Sequence, residues 1–253
     1  MTYLWHLLFE ACIDVYCGAN LQQSGLAMQY KSVKGISGWG QLGILAAFTG
    51  LGFILAGVVQ LIIGLQLIKS GVGSDQMADE MMKALMKPEN VAYARAAQIV
   101  GTFFLLFVPA VLYLLVTHGR NPFWLGFNKH ISYQQVIIGF FIIVAANIMA
   151  QPLADLTQSI ISHAPNLDAM ARRMETTYND QVKAMGHLKN IPELIMAIVV
   201  IAFFPAMFEE IFFRGAVQNL LVRWWRSPML AIIVTSLLFS IIHLSIYLFL
   251  SRA

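Results

Sequence analysis

The sequence predicts an all-α, polytopic membrane protein: a transmembrane bundle of about five spans with amphipathic helical loops. Composition is the first reason. Apolar residues fill 58% of the 253 positions and charged residues only 11%, whereas a soluble domain is about a quarter charged. Mean hydropathy is +0.70, and one aqueous core cannot hide that much apolar surface. The second reason is segmentation, because a bilayer core takes roughly 20 apolar residues of helix and five runs reach or approach that length between charges, Pro and Gly.

The first run, 42–68, is interrupted only by Gly and by Gln60 and Gln66, and stops at Lys69. The second, 99–116, ends before His118-Gly119-Arg120-Asn121-Pro122. The third, 136–150, is short and holds Asn147. The fourth begins at Ile191-Pro192 and runs through Phe208 into a pair of glutamates; the fifth follows Ser227-Pro228 and reaches about residue 250. Segments 69–98 and 151–190 differ in kind. They mix acids and bases with apolar residues at helical spacing (Met77, Met81, Met82, Leu85; Met170, Met174), which predicts amphipathic helices outside the hydrocarbon or lying on it, as connectors or as a lid. The chain divides into 1–190, N-terminal spans and amphipathic loops, and 191–253, where the chemistry-bearing residues gather.

Charge and cysteine usage narrow the function classes. The formal net charge is +3, and the bases lie between apolar runs rather than on one face, so nucleic acid is excluded as an expected partner and the lipid bilayer takes its place. Lys31, Lys34, Arg120, Lys129, Arg223 and Arg226 fall on one side of a five-span arrangement. The other side holds comparable numbers of bases, so the positive-inside rule sets no orientation. Cys12 and Cys17 match neither a metal-binding nor a disulfide pattern and are expected to be reduced and structural. The N-terminus, with Glu10 and Asp14, lacks the basic start and small-residue cleavage site of a signal peptide, so the first span is expected to direct insertion.

The chemistry concentrates in Ala206-Met207-Phe208-Glu209-Glu210-Ile211-Phe212-Phe213-Arg214-Gly215. A charged side chain at mid-membrane costs a few kcal/mol, so an intramembrane ionisable group is a functional candidate. Glu210 and Arg214 stand four apart in acid-first order and can pair on one helix face. Glu209 is then left about 100° round the helix without a local partner, a partly desolvated carboxylate suited to general-base work. His243 lies within the continuous apolar sequence of the fifth run. A short turn at 222–228 makes the fourth and fifth helices antiparallel neighbours. At 1.5 Å rise per residue, Glu209 and His243 both lie roughly 20 Å from that turn, at one depth. Pro205, one turn before Glu209, frees the carbonyl at Ile201 and loosens the helix there. Each feature also has a packing explanation: a neutralised Glu210–Arg214 pair, or a helix-to-helix hydrogen bond from His243.

These residues resemble the CAAX prenyl protease and bacteriocin-processing (CPBP/Abi) family of intramembrane endopeptidases, with Glu-Glu-x-x-x-Arg on one helix and Phe-x-x-x-His on the next. Glu209, Glu210, Arg214 and Gly215 match the first motif and Phe239 with His243 the second; the likeness covers about 192–247. The resemblance implies a protease in which Glu209 and His243 activate the water that attacks a peptide carbonyl, with Glu210 and Arg214 in support. The implied partner is a membrane-associated protein or peptide substrate, and the implied location a bacterial plasma membrane. It also implies zinc or another divalent metal on Glu209 and His243, although two residues fall short of the three protein ligands of a usual catalytic zinc. Family members carry a further His-x-x-x-Asn or His-x-x-x-Asp motif that residues 244–253 lack. The expectation is either a shortened form or a site without that support, slower by about two to three orders of magnitude if an oxyanion donor is lost. Two other classes stay open: a non-catalytic immunity or scaffold protein that keeps the motif for packing, and a carrier using Glu209 as a proton relay.

Overall fold

The computed structural model describes residues 30–68, 73, 76–127, 132–185, 190–243 and 246–252. The readings on Glu10, Cys12, Asp14 and Cys17 lie outside them. The described residues form helices and no β-strand: α1 (Gly38–Leu67), α2 (Met77–Leu85), α3 (Pro88–Thr117), α4 (Tyr133–Ser162), α5 (Pro165–Met185), α6 (Ile191–Trp225), α7 (Pro228–Ile242) and α8 (Phe249–Arg252), with a 3-10 turn at Pro122–Leu125.

Among the described residues four helices, α1, α3, α4 and α6, are long and apolar enough to cross a membrane, and α7 is a shorter apolar helix. α1, α3 and α4 each have 30 residues, about 45 Å, against a hydrocarbon core of ~30 Å, so their ends project beyond it. Apolar side chains such as Phe53 and Ile62 on α1 and Phe140, Phe141 and Ile143 on α4 face outward. In a bilayer the solvent on that surface is lipid, so the outward faces need no polar cover.

Three boundaries differ from the hydropathy reading. The second span begins at Pro88, because helical propensity in Val91–Thr102 carries the turn structure onward and Arg95 is buried inside the bundle. The third continues to Ser162, past Asn147 and through Pro152; polar residues shorten an apolar run without ending a helix. The fifth stops at Ile242. There the Phe239 carbonyl accepts the His243 ring Nδ1–H at 2.8 Å, while the backbone N–H of His243 is 3.4 Å from it, so a side chain competes with the helical ladder. The expected amphipathic helices are present as α2 and α5.

α1 packs along α3, α3 along α6, and α6 against α7; α4 packs on α5 and α8. The core lies where the first group meets, among Leu45, Leu106, Ala110, Phe208, Phe212 and Ala231. Gly52 lets α1 and α3 touch, since a Cβ there would lie 2.3 Å from the Phe104 carbonyl oxygen. Gln41, fully buried, ties the same helices: its Oε1 accepts from the Tyr113 hydroxyl at 3.0 Å and its Nε2 donates to the Ile36 carbonyl at 2.9 Å.

Candidate functional site

α6 is interrupted by two π-helical stretches, Ile198–Phe203 and Glu210–Gln218, and α3 by one at Phe103–Phe107. Two of the three end two residues before a proline, Pro109 in α3 and Pro205 in α6. Proline has no N–H for the carbonyl four residues back and its ring crowds that carbonyl. Widening the preceding turn relieves the crowding: Phe204 N–H donates to Val199 and Val108 N–H to Phe103, five residues back in each case. The widened stretch of α3 faces the turn of α6 that follows Pro205. Phe208 packs on Phe103 and Phe107 with ring centroids 5.6 and 5.4 Å apart, and beside them lies a wholly apolar groove of about 390 Å³ lined by Ile99, Val100, Phe103, Phe107, Phe204, Met207 and Phe208.

The third π-helical stretch opens on Glu210 and contains Arg214. π-helical turns occur frequently at functional sites. Gly215 sits against the 3-10 turn, where a Cβ would come 2.7 Å from the Leu125 carbonyl oxygen. That contact and the buried neighbours Phe212, Phe213 and Ala216 set the rotation of α6. Arg214 then points away from the core and pairs with Glu210 in the predicted i, i+4 fashion, both side chains more than half exposed. Glu209 turns the other way, toward α7.

The turn Arg226–Ser227 reverses the chain and makes α6 and α7 antiparallel neighbours, as the short connection predicts. Glu209 Oε1 and His243 Nε2 come within 3.7 Å, each side chain about a quarter exposed. The His243 ring lies on Phe239 with centroids 4.3 Å apart, and Phe239 in turn packs edge-on against Phe213 at 5.1 Å. Because a carbonyl only accepts, the Phe239 bond places a hydrogen on Nδ1. In a neutral ring Nε2 is then an acceptor facing a carboxylate oxygen. Two acceptors at that distance are completed by a shared donor: a proton on Nε2, or a water bonded to both.

The site therefore gathers as two pairs, Glu209 with His243 and Glu210 with Arg214. Sequence spacing missed what lies beyond His243. Tyr247, buried against Ile161 and Ala171, donates to the Asp168 carboxylate of α5 at 2.5 Å, and the Ser240 hydroxyl donates to the Phe249 carbonyl at 2.6 Å. These contacts hold residues 246–252 against α4, α5 and α7. No spacing rule links positions 79 residues apart, so no local signal could reveal the Tyr247–Asp168 bond. As for a metal, no group of three or more His, Cys, Asp or Glu side chains converges among the described residues. Glu210 is engaged with Arg214, so Glu209 and His243 supply two protein donors where a catalytic zinc ordinarily has three. That donor set does not fit the ion.

Fold and site together define an integral membrane protein with an acidic pair and a histidine on adjacent helices. Residues 191–252 match the family described as type II CAAX prenyl endopeptidase Rce1-like, a minority of the chain that includes Glu209, Glu210, Arg214 and His243. The chain matches no curated protein and no solved structure.

Proposed function

We propose that the protein is an intramembrane endopeptidase that hydrolyses a peptide bond of a membrane-associated substrate, with Glu209 and His243 activating the attacking water. The observation that carries this reading is the 3.7 Å approach of the Glu209 carboxylate to His243 Nε2. A water donating to both acceptors would have its oxygen lone pairs directed away from them, toward a substrate carbonyl. Glu209 takes a proton as the water oxygen attacks the carbonyl carbon, and the carbonyl π electrons move onto oxygen. When they return, the C–N bond breaks, and the departing nitrogen receives the proton held by Glu209. His243, oriented through Nδ1 by the Phe239 carbonyl, holds the water in line. No step runs through a metal. Glu210 and Arg214 act as a neutralised pair supporting the helix that carries the base.

The matched family's description names a CAAX prenyl endopeptidase, and the groove supports a related substrate class here. Its lining is apolar throughout, and Phe204, Met207 and Phe208 stand within the turn and a half of helix before Glu209. An isoprenoid chain on a cysteine near a substrate's C-terminus would lie there with the adjoining peptide at the carboxylate.

The test is cleavage of a prenylated C-terminal peptide by the purified protein in proteoliposomes. The wild type is expected to release the terminal fragment, and Glu209→Gln or His243→Gln to lower the rate by about 10²–10⁴ with helical content unchanged. Unimpaired cleavage by Glu209→Gln would remove the carboxylate from the mechanism. Loss of folded protein in both variants would assign the pair to packing.

A further inference from the structure

The helix α5 follows the membrane span α4 after only two residues, His163 and Ala164. Its sequence has two opposite sides. Leu167, Met170, Met174 and Tyr178 recur at i, i+3, i+7 and i+11, which lines them along one side. Arg172, Thr176, Asp180 and Lys183 line the other, and all four are exposed. Only part of the apolar side is used within the described chain. Ala171, at its margin and 2% exposed, packs with Ile161 of α4 and with Tyr247, whereas Leu167 and Met170 stay 43% and 53% exposed. On the last two turns of α4, Leu156 and Ile160 are exposed as well. The lipid-facing surface of α4 therefore runs on, past the turn, into the apolar side of α5.

Charge narrows where such a helix can lie. α5 carries three acids, Asp168, Glu175 and Asp180, and three bases, Arg172, Arg173 and Lys183. Six ionisable groups exclude a course through hydrocarbon. A course wholly in water would leave Leu167 and Met170 wet. Between the two, at the headgroup level, both sides of the helix find their solvent. Because the acids balance the bases, apolar contact rather than attraction to anionic lipid holds the helix there.

We propose that α5 is an in-plane membrane anchor: Leu167, Met170 and Met174 sink about 5–10 Å into the boundary between headgroups and acyl chains, and the helix holds residues 246–252 at that surface. The second part rests on Asp168. In the first turn of α5 its carboxylate accepts from Arg172 at 2.8 Å and from the Tyr247 hydroxyl at 2.5 Å, while the Tyr247 side chain packs on Ala171. α8, beginning two residues after Tyr247, packs along α4. Residues 246–252 are thus tied to the two helices whose junction lies at the interface. The simpler use of α5 is as a connector from α4 to α6, and a connector is indifferent to whether Met170 meets lipid or water. The proposal stands apart from the peptidase reading, because none of its residues belongs to the Glu209–His243 pair.

The experiment uses the full chain in phosphatidylcholine vesicles, with Cys12 and Cys17 replaced by serine and an environment-sensitive fluorophore on Met170→Cys or, on the opposite side of α5, on Thr176→Cys. The Met170→Cys label is expected to be quenched severalfold more by lipid spin-labelled near the top of its acyl chain than by aqueous iodide, and the Thr176→Cys label the reverse, at low and high salt alike. Equal iodide access at the two positions puts α5 in water and overturns the proposal. A Met170→Cys label shielded from both quenchers puts protein on that side and overturns it too. For the anchor, hydrogen exchange at 246–252 is expected to rise severalfold in Leu167→Gln/Met170→Gln while α3 and α6 keep their protection; unchanged exchange removes the anchoring role. Where a variant folds poorly, the wild-type chain decides the seating: phosphatidylcholine with a photoactivatable group on its acyl chain is expected to label residues 165–174, and no labelling there overturns the proposal.

Discussion

Arg214 and Glu210 illustrate how the membrane changes the worth of a surface ion pair. In water an exposed i, i+4 pair contributes a few tenths of a kcal/mol. In hydrocarbon, removing one partner leaves a lone charge that costs on the order of 2–3 kcal/mol. Arg214→Met is therefore expected to lower the melting temperature more than the double variant Glu210→Gln/Arg214→Met. Thermal melts of the two in one detergent check it, and additive losses would contradict it. His118, just past the end of α3, gives a pH prediction. It is buried, and its Nδ1–H is taken by Thr117 Oγ1 at 2.6 Å, because the Thr117 hydroxyl hydrogen goes to the Tyr113 carbonyl. Nε2 is then a buried lone pair with no hydrogen-bond partner among the described residues. Burial first, and then the nearby Arg223 charge, push the imidazole down to about 4. The unfolded chain takes up this proton near pH 6.5 and the folded one only near 4, so stability is complete above the upper value and falls as pH drops between the two. The loss is expected to be on the order of 2 kcal/mol, read as a falling melting temperature from pH 7 to 4.5 that His118→Phe makes shallower.

At the scale of elements, proline and glycine decide how the helices meet. Pro109 and Pro205 each follow a widened turn, and the apolar groove lies between the α3 stretch that holds Phe103 and Phe107 and the α6 residues Phe204, Met207 and Phe208 just after the second turn. Gly52 does the reverse, allowing α1 and α3 to close to backbone contact. Gly52→Ala would set a methyl group against the Phe104 carbonyl. A carbonyl inside a helix cannot swing away, so the two helices must part. The expected cost is about 1–3 kcal/mol, seen as a melting temperature lower by several degrees. An unchanged melt would mean that the α1–α3 contact is looser than the structure has it. Hydropathy located these helices well and their ends poorly. Apolar content records where lipid is, whereas a helix ends where its backbone bonds find another partner, as at His243.

For the whole molecule, alternating spans assign every loop to one of two ends. Lys83 on α2 and Arg172 on α5 share one end; Arg120 and Arg226 share the other. With Cys12 and Cys17 replaced by serine, single cysteines at Lys83 and Arg172 are expected to react with an impermeant maleimide from the same side of sealed vesicles. Cysteines at Arg120 and Arg226 are expected to react only from the opposite side. Labelling of all four from one side would overturn the four-span arrangement of α1, α3, α4 and α6.

Composition and hydrophobic runs by themselves determined that this is a helical membrane protein, because lipid leaves a backbone no other way to satisfy its polar groups than helix or closed barrel. Local spacing also determined the Glu210–Arg214 pair, which one helical turn brings together. The equal distances of Glu209 and His243 from the 222–228 turn placed them at one depth. Depth is only one coordinate, however. That Glu209 faces α7 and Arg214 faces outward depends on the rotation of α6, which Gly215 and the packed Phe212 and Phe213 set against other parts of the chain. The placement of Tyr247 depends on Asp168, and the Trp39–Trp224 and Arg223–Trp124 contacts join three separate stretches. Those arrangements rest on contacts between residues far apart in sequence, for which a one-dimensional pattern carries no register, and only the tertiary structure decided them.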